Sequence, residues 1–182
     1  MVKKKGTTIR GRAAKQKGSR AERKVRDMLR SIYPTELRDR VYRVPLSGAG
    51  AIKGDVVDNN DYDSCYEVKC QEQLHLHDWW EQTKSQAGLS RTPVLVITQA
   101  YRPFYFVLRP DDWFAQVAAT EYKDFTYTTE HSKAGDLFDF LAKMGARHGC
   151  IFTMPDGEEV IIVTQYYYIE VKTSLYEASV VE

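Results

Sequence analysis

An α/β (α+β) fold, a sheet flanked by helices in the order αβββαββ, is predicted by three observations on the sequence. Apolar residues recur at helical spacing near residues 19–33, and a capping box with a terminal Gly88 bounds a second helix over 78–87. Four short runs (41–46, 54–58, 64–70 and 104–109) have strand length and are bounded by turn residues. TPVLVIT (92–98) is a continuous apolar run, as expected of a central strand covered on both faces.

Residues 1–17 are polar, basic and without period, which predicts a flexible basic arm. The first helix is expected to start at Ser19, with Ala21, Val25, Met28, Leu29 and Ile32 on its buried stripe and Pro34 closing it. VYRVPL (41–46) reads as a strand ending at Pro45, followed by the SGAGAIKG loop. GDVVD, the NNDYD turn and SCYEVKC then continue an antiparallel meander. Asp78 with Glu81 forms a capping box for a helix that runs to Ala87 and stops at Gly88. FYFVLR (104–109) completes a core over 18–110. Beyond it, 111–182 reads as an α+β extension or subdomain packed on that core. It comprises a short helix from Asp111, an irregular polar stretch over 120–133, a helix over 135–145 and the CIFTM/EVIIV hairpin. YYYIEVK is expected to continue as a further strand.

The chain of 182 residues is 43% hydrophobic and 28% charged, which fits a soluble domain with a genuine core. No apolar run approaches the ~20 residues of a membrane span, and no apolar segment follows the basic N-terminus, so neither membrane nor secretion is expected. Three cysteines without framework spacing favour a reducing cytoplasm, that of a host cell if the chain is phage-encoded. The net charge of +1 hides an asymmetry. Residues 1–30 hold twelve of the 26 Lys/Arg and two of the 25 acids, about +10 against about −9 for the remainder. A basic arm on an acidic body points to phosphate contacts, hence nucleic acid.

Glu-Val-Lys occurs twice, in CYEVKC (65–70) and YIEVKTS (168–174), with Asp55 and Asp156 upstream. On a strand, Glu67 and Lys69 share one face while Tyr66, Val68 and Cys70 take the other. Asp55 on the preceding strand is near enough to share a divalent cation with Glu67. Such a cation stabilises developing phosphate charge and acidifies a water. Lys69 would orient or deprotonate that water, or stabilise the phosphate. Alone, Glu-x-Lys is more often an exposed ion pair worth little.

KGSRAERKV (17–25), RVPLSGAG (43–50), GDVV (54–57) and YEVKC (66–70) together resemble the PD-(D/E)XK nuclease superfamily, and within it the archaeal and phage-type Holliday junction resolvases. The resemblance covers about residues 15–109 and departs at Gly54, where the family usually has Pro. It implies a restriction-endonuclease-like core with a central mixed sheet, Mg²⁺ as cofactor with Mn²⁺ substituting, branched or four-way DNA as substrate, and a homodimer. It also implies metal ligation by Asp55, Glu67 and the Val68 carbonyl, catalysis by Lys69, and Ser47 in a loop approaching the scissile phosphate. Glu22 would be a fourth acidic member, or the partner of Ser19 in a capping box. Lys17, Arg20, Arg43, Ser47 and Lys53 are the expected DNA contacts. The alternatives are a restriction-type or linear-duplex endonuclease on the same fold, and a DNA-binding module without catalysis.

Other polar groups are weaker candidates. His75 and His77 lack a third ligand at matching spacing and read as solvent-facing. Trp79 and Trp80 could stack on DNA, although at least one belongs in the core. Gln82 and Gln86 lie one helical turn apart behind the site; the resemblance implies that a Gln there can position the metal-bound water, with surface residues as the default reading. The second Glu-Val-Lys is expected on a strand with a solvated charged face, since Pro155-Asp156-Gly157 is a turn signal and only ten residues follow Lys172. Lys69→Ala should therefore abolish cleavage, while Lys172→Ala leaves it intact.

Overall fold

A computed structural model describes residues 9–44, 53–122, 125–130, 137–143, 145 and 148–181. Ser47 and most of its loop lie outside these residues.

One eight-stranded mixed sheet organises the chain, in the order β1-β2-β3-β4-β5-β8-β7-β6. The meander forms as expected: β1 (Val41–Arg43), β2 (Val56–Asp58) and β3 (Ser64–Cys70) pair antiparallel. Helix α2 (Leu76–Ala87) crosses over to β4 (Thr92–Thr98), which runs parallel to β3 in the register Glu67↔Leu95. β5 (Tyr105–Leu108) returns antiparallel, and the sheet then continues into the C-terminal segment. There β8 (Glu159–Thr164) pairs antiparallel with both β5 and β7 (His148–Thr153). β6 (Thr126–Glu130) runs parallel to β7 at the edge. Residues 111–182 thus extend the same sheet.

Alternation along β4 shows why the sheet has two cores. Val94 and Val96 face one side, against Val25 and Leu29 of α1 (Ile9–Arg30), Trp113 of α3 (Pro110–Ala118) and Tyr168 of α5 (Gln165–Val181). Leu95 and Ile97 face the other, against Trp79 and Trp80 of α2 and Leu137 of α4 (Leu137–Leu141). Each fully buried side chain of this size contributes about 1.5–3 kcal/mol. Both tryptophans are core residues, so neither offers a ring for DNA stacking. Among the described residues no helix is long and apolar enough to cross a membrane.

Four expectations are corrected. Helix α1 starts at Ile9, ten residues before Ser19, so residues 9–17 are helical and Ser19 caps nothing. The Arg, Ala, Lys and Gln residues there are good helix formers, and with no large apolar residue after Ile9 the stretch carries no apolar period to betray it. Helix α2 starts at Leu76, which puts Asp78 inside its first turn and removes the capping box with Glu81; Gly88, at φ +64°, does end it. The stretch expected to be irregular over 120–133 contains β6. YYYIEVK is part of α5, not a strand, and Lys172 is not solvated: its Nζ pairs with Asp61 at 2.5 Å and its side chain is 11% exposed.

Candidate active site

The strand before the site is anchored by its backbone. Val44 N donates to Asp55 O at 2.9 Å, and Asp55 N donates to Tyr66 O at 2.8 Å, so Asp55 is held between β1 and β3. Its carboxylate turns inward, where Oδ2 accepts the Val68 amide at 3.0 Å. On β3 the side-chain alternation expected from the sequence is realised. Tyr66 and Val68 enter the α1 core, while Glu67 and Lys69 face α2.

Glu67 is the hub of the α2 side. Its Oε1 accepts Lys69 Nζ at 2.7 Å and Gln82 Nε2 at 3.0 Å, and Lys69 Nζ also donates to Gln82 Oε1 at 2.9 Å. Gln86, one turn further along α2, accepts the Gly54 amide on its Oε1 at 2.9 Å. Both glutamines are therefore structural partners of the site rather than inert surface groups. Helical spacing had put them on one face; only the crossover from β3 to β4 shows that this face covers Glu67.

Asp55 and Glu67 are 7% and 3% exposed. Burial, and then the charge of Asp55, push the Glu67 carboxyl above its ordinary range despite Lys69. Two buried carboxylates, Asp55 just before β2 and Glu67 on β3, with one lysine bonded to Glu67, form an oxygen donor set short of positive charge. That is the donor chemistry a hard divalent cation fits.

The other expected members sit differently. Glu22 Oε2 is paired with Arg43 Nε, and Arg43 Nη2 donates to Ser19 Oγ at 3.2 Å, tying α1 to β1. Glu22 does not converge with Asp55 and Glu67 into a group of three whose ligand atoms lie within 4.8 Å. Lys17 is paired with Glu72, whereas Arg20 and Lys53 are exposed.

A family model described as “Phage putative PDDEXK endonuclease” matches residues 13–145, a stretch that contains α1, Asp55, Glu67 and Lys69. Neither a curated protein nor a solved structure matches the chain.

Proposed function

Because this chain belongs to the phage PDDEXK endonuclease family, we propose that it is a divalent-metal-dependent DNA endonuclease whose cutting centre is Asp55, Glu67 and Lys69. The observation that carries this is the buried Asp55/Glu67 carboxylate pair, with Lys69 Nζ 2.7 Å from Glu67 on the same strand face. Asp55, Glu67 and the Val68 carbonyl would hold the cation, Mg²⁺ by preference and Mn²⁺ in its place. The bound cation supplies charge stabilisation and an acidified water.

The protein's own part is positioning. Val68 N–H fixes the Asp55 carboxylate, and Gln82 fixes both Glu67 and Lys69. Lys69, donating to two oxygens, is poised as a hydrogen-bond donor toward phosphate or water more than as a base. Glu22 serves as a strut between α1 and β1 through Arg43. Arg20, Lys53 and the exposed Lys15, Arg23 and Lys24 of α1 offer phosphate contacts. Ser47 would approach the scissile phosphate from its loop.

The finer reading is a structure-selective enzyme that acts as a homodimer on branched DNA such as four-way junctions. It rests on the likeness of residues 17–25 and 43–50 to junction resolvases. A linear-duplex, restriction-type enzyme is the second reading, favoured by the three strands that 111–182 adds to the sheet. Incubation of the chain with Mg²⁺ and either a four-way junction or its matched linear duplex separates the two. Cleavage of the junction alone, lost in Lys69→Ala, is the expected result. Cleavage that survives Lys69→Ala would overturn the site.

A further inference from the structure

On the α2 side of the sheet, the first turns of α2 meet the β7–β8 turn. His77 and Glu81 are four residues apart on α2 and leave it on the same side. Asp156 comes from Pro155-Asp156-Gly157, with Gly157 at φ +90°. Asp156 Oδ1 accepts the Glu158 amide at 3.1 Å, which fixes the side chain and leaves Oδ2 at 3.2 Å from His77 Nε2. His77 Nδ1 lies 3.7 Å from Asp78 Oδ1. One ligand atom each from His77, Glu81 and Asp156 all fall within 4.8 Å of one another.

We propose that His77, Glu81 and Asp156 form a second divalent-metal site, suited to a transition ion such as Zn²⁺, that clips α2 to the β7–β8 hairpin. One imidazole nitrogen and two carboxylate oxygens match a three-ligand zinc site with open positions for water, whereas Mg²⁺ prefers oxygen alone. Ligands at ~2.1 Å from one ion stand about 3.4–4.2 Å apart, so a small rotamer adjustment closes the group. The side chains are 40%, 48% and 46% exposed, which leaves room for water to complete the coordination. Asp78 would hold the imidazole from its other nitrogen, as outer partners of metal-bound histidines do. Lys84 must release Glu81, and it keeps Glu158 at 2.5 Å when it does.

The third ligand explains why His75 and His77 gave no metal pattern in the sequence: it stands 79 residues from His77 and is joined to it by the fold. Asp156 lies outside the stretch matched by the family model, which holds only His77 and Glu81, so that match does not span the whole site. The site is independent of the nuclease reading, yet it acts on the same helix. A clip at His77 and Glu81 would steady the helix that presents Gln82 and Gln86 to Glu67 and Gly54.

The test is a Zn²⁺ titration of the untagged full chain, followed by calorimetry and by thermal unfolding, with Mg²⁺ alone as a comparison. Wild type and His75→Ala should bind Zn²⁺ saturably below millimolar concentration and melt at higher temperature with it. His77→Ala should lose both effects, and Asp78→Ala should weaken binding about 10-fold. Amide exchange over 76–81 and 154–158 should slow with Zn²⁺ in wild type only. Binding unchanged in His77→Ala, or no saturable Zn²⁺ binding in wild type, would overturn the proposal. Asp55→Asn locates the ion: Zn²⁺ binding lost there and kept in His77→Ala would place it at Asp55 and Glu67 instead.

Discussion

At position 54 the backbone has φ +95°, a Cβ would stand 3.0 Å from the Tyr66 carbonyl oxygen, and the amide is used by Gln86. Proline fixes φ near −65° and has no N–H, so here the departure from the family's usual residue is required by the geometry. The carboxylates beside it carry a cost. The raised Glu67 carboxyl means that its contribution to folding is full below its unfolded pKa and is lost as pH rises through the higher folded value. In metal-free buffer Glu67→Gln should therefore melt higher than wild type at pH 7, with the difference vanishing toward pH 4, while cleavage is lost. A lower melting temperature at pH 7 would contradict this. The second lysine of the repeated triplet behaves oppositely. Burial raises the Asp61 carboxyl, but Lys172 outweighs it and holds it below its usual range. Burial lowers the Lys172 amine, but Tyr168 and Asp61 outweigh it and hold it above its own. The pair's stabilisation is thus complete between the ordinary aspartate and lysine pKa values. It fades in acid as Asp61 protonates and in alkali as Lys172 deprotonates. Lys172→Ala leaves the half-buried Asp61 carboxylate without its cation and with only the Ser64 and Tyr66 hydroxyls, a loss of about 3 kcal/mol at pH 7. Denaturant melts should show it, with cleavage retained where the variant stays folded.

Helix α5 is where local pattern and fold part company. Tyr166, Tyr168 and Glu170 alternate as in a strand, and β-branched and aromatic residues favour one. Yet Tyr167, Tyr168 and Val171 are the buried set, at helical spacing; Tyr168 stacks on Phe106 and Trp113, and Tyr167 meets Trp113 edge-on. The overlooked signal is Thr164, whose Oγ1 accepts the Tyr167 amide at 3.4 Å in the position of an N-cap. Thr164→Ala should cost about 1 kcal/mol, read as a lower denaturant midpoint with an unchanged slope. The first half of the chain was legible because its strands are short, alternating and joined by turns close in sequence. Asp55, Glu67 and Lys69 inherit their positions from that meander, so their placement together could be read as well. The hydrogen-bond partners of Gln82 and Gln86 could not, since they depend on how α2 lies over β3. Nor could β6, whose TYTTE pairs with a strand more than twenty residues later.

Across the whole molecule, the charge asymmetry becomes a geometric one. The sheet is continuous from β1 to β6, and α1 lies on one of its faces, burying Ala21, Val25 and Leu29. Its solvent side carries Lys15, Arg20, Arg23 and Lys24, exposed along about 14 Å of helix. Lys15, which the sequence placed in a flexible arm, thus shares one helix with Arg20, Arg23 and Lys24 as a cationic ridge. A ridge of this kind should act through counterion release, so binding ought to weaken steeply with salt whatever the DNA sequence. Replacing Arg20, Arg23 and Lys24 together with Gln removes three cations without touching the core or Lys69. The slope of log binding constant against log salt should then become shallower by about 2.7, with affinity lower at every salt concentration. Cleavage at saturating protein should persist, because the proposed cutting centre is unaltered. Titrations of the Asp55→Asn background against labelled duplex and four-way DNA would measure the slope without turnover. An unchanged slope would mean that DNA is held on another face of the sheet, and Lys53 beside Asp55 would become the place to begin looking.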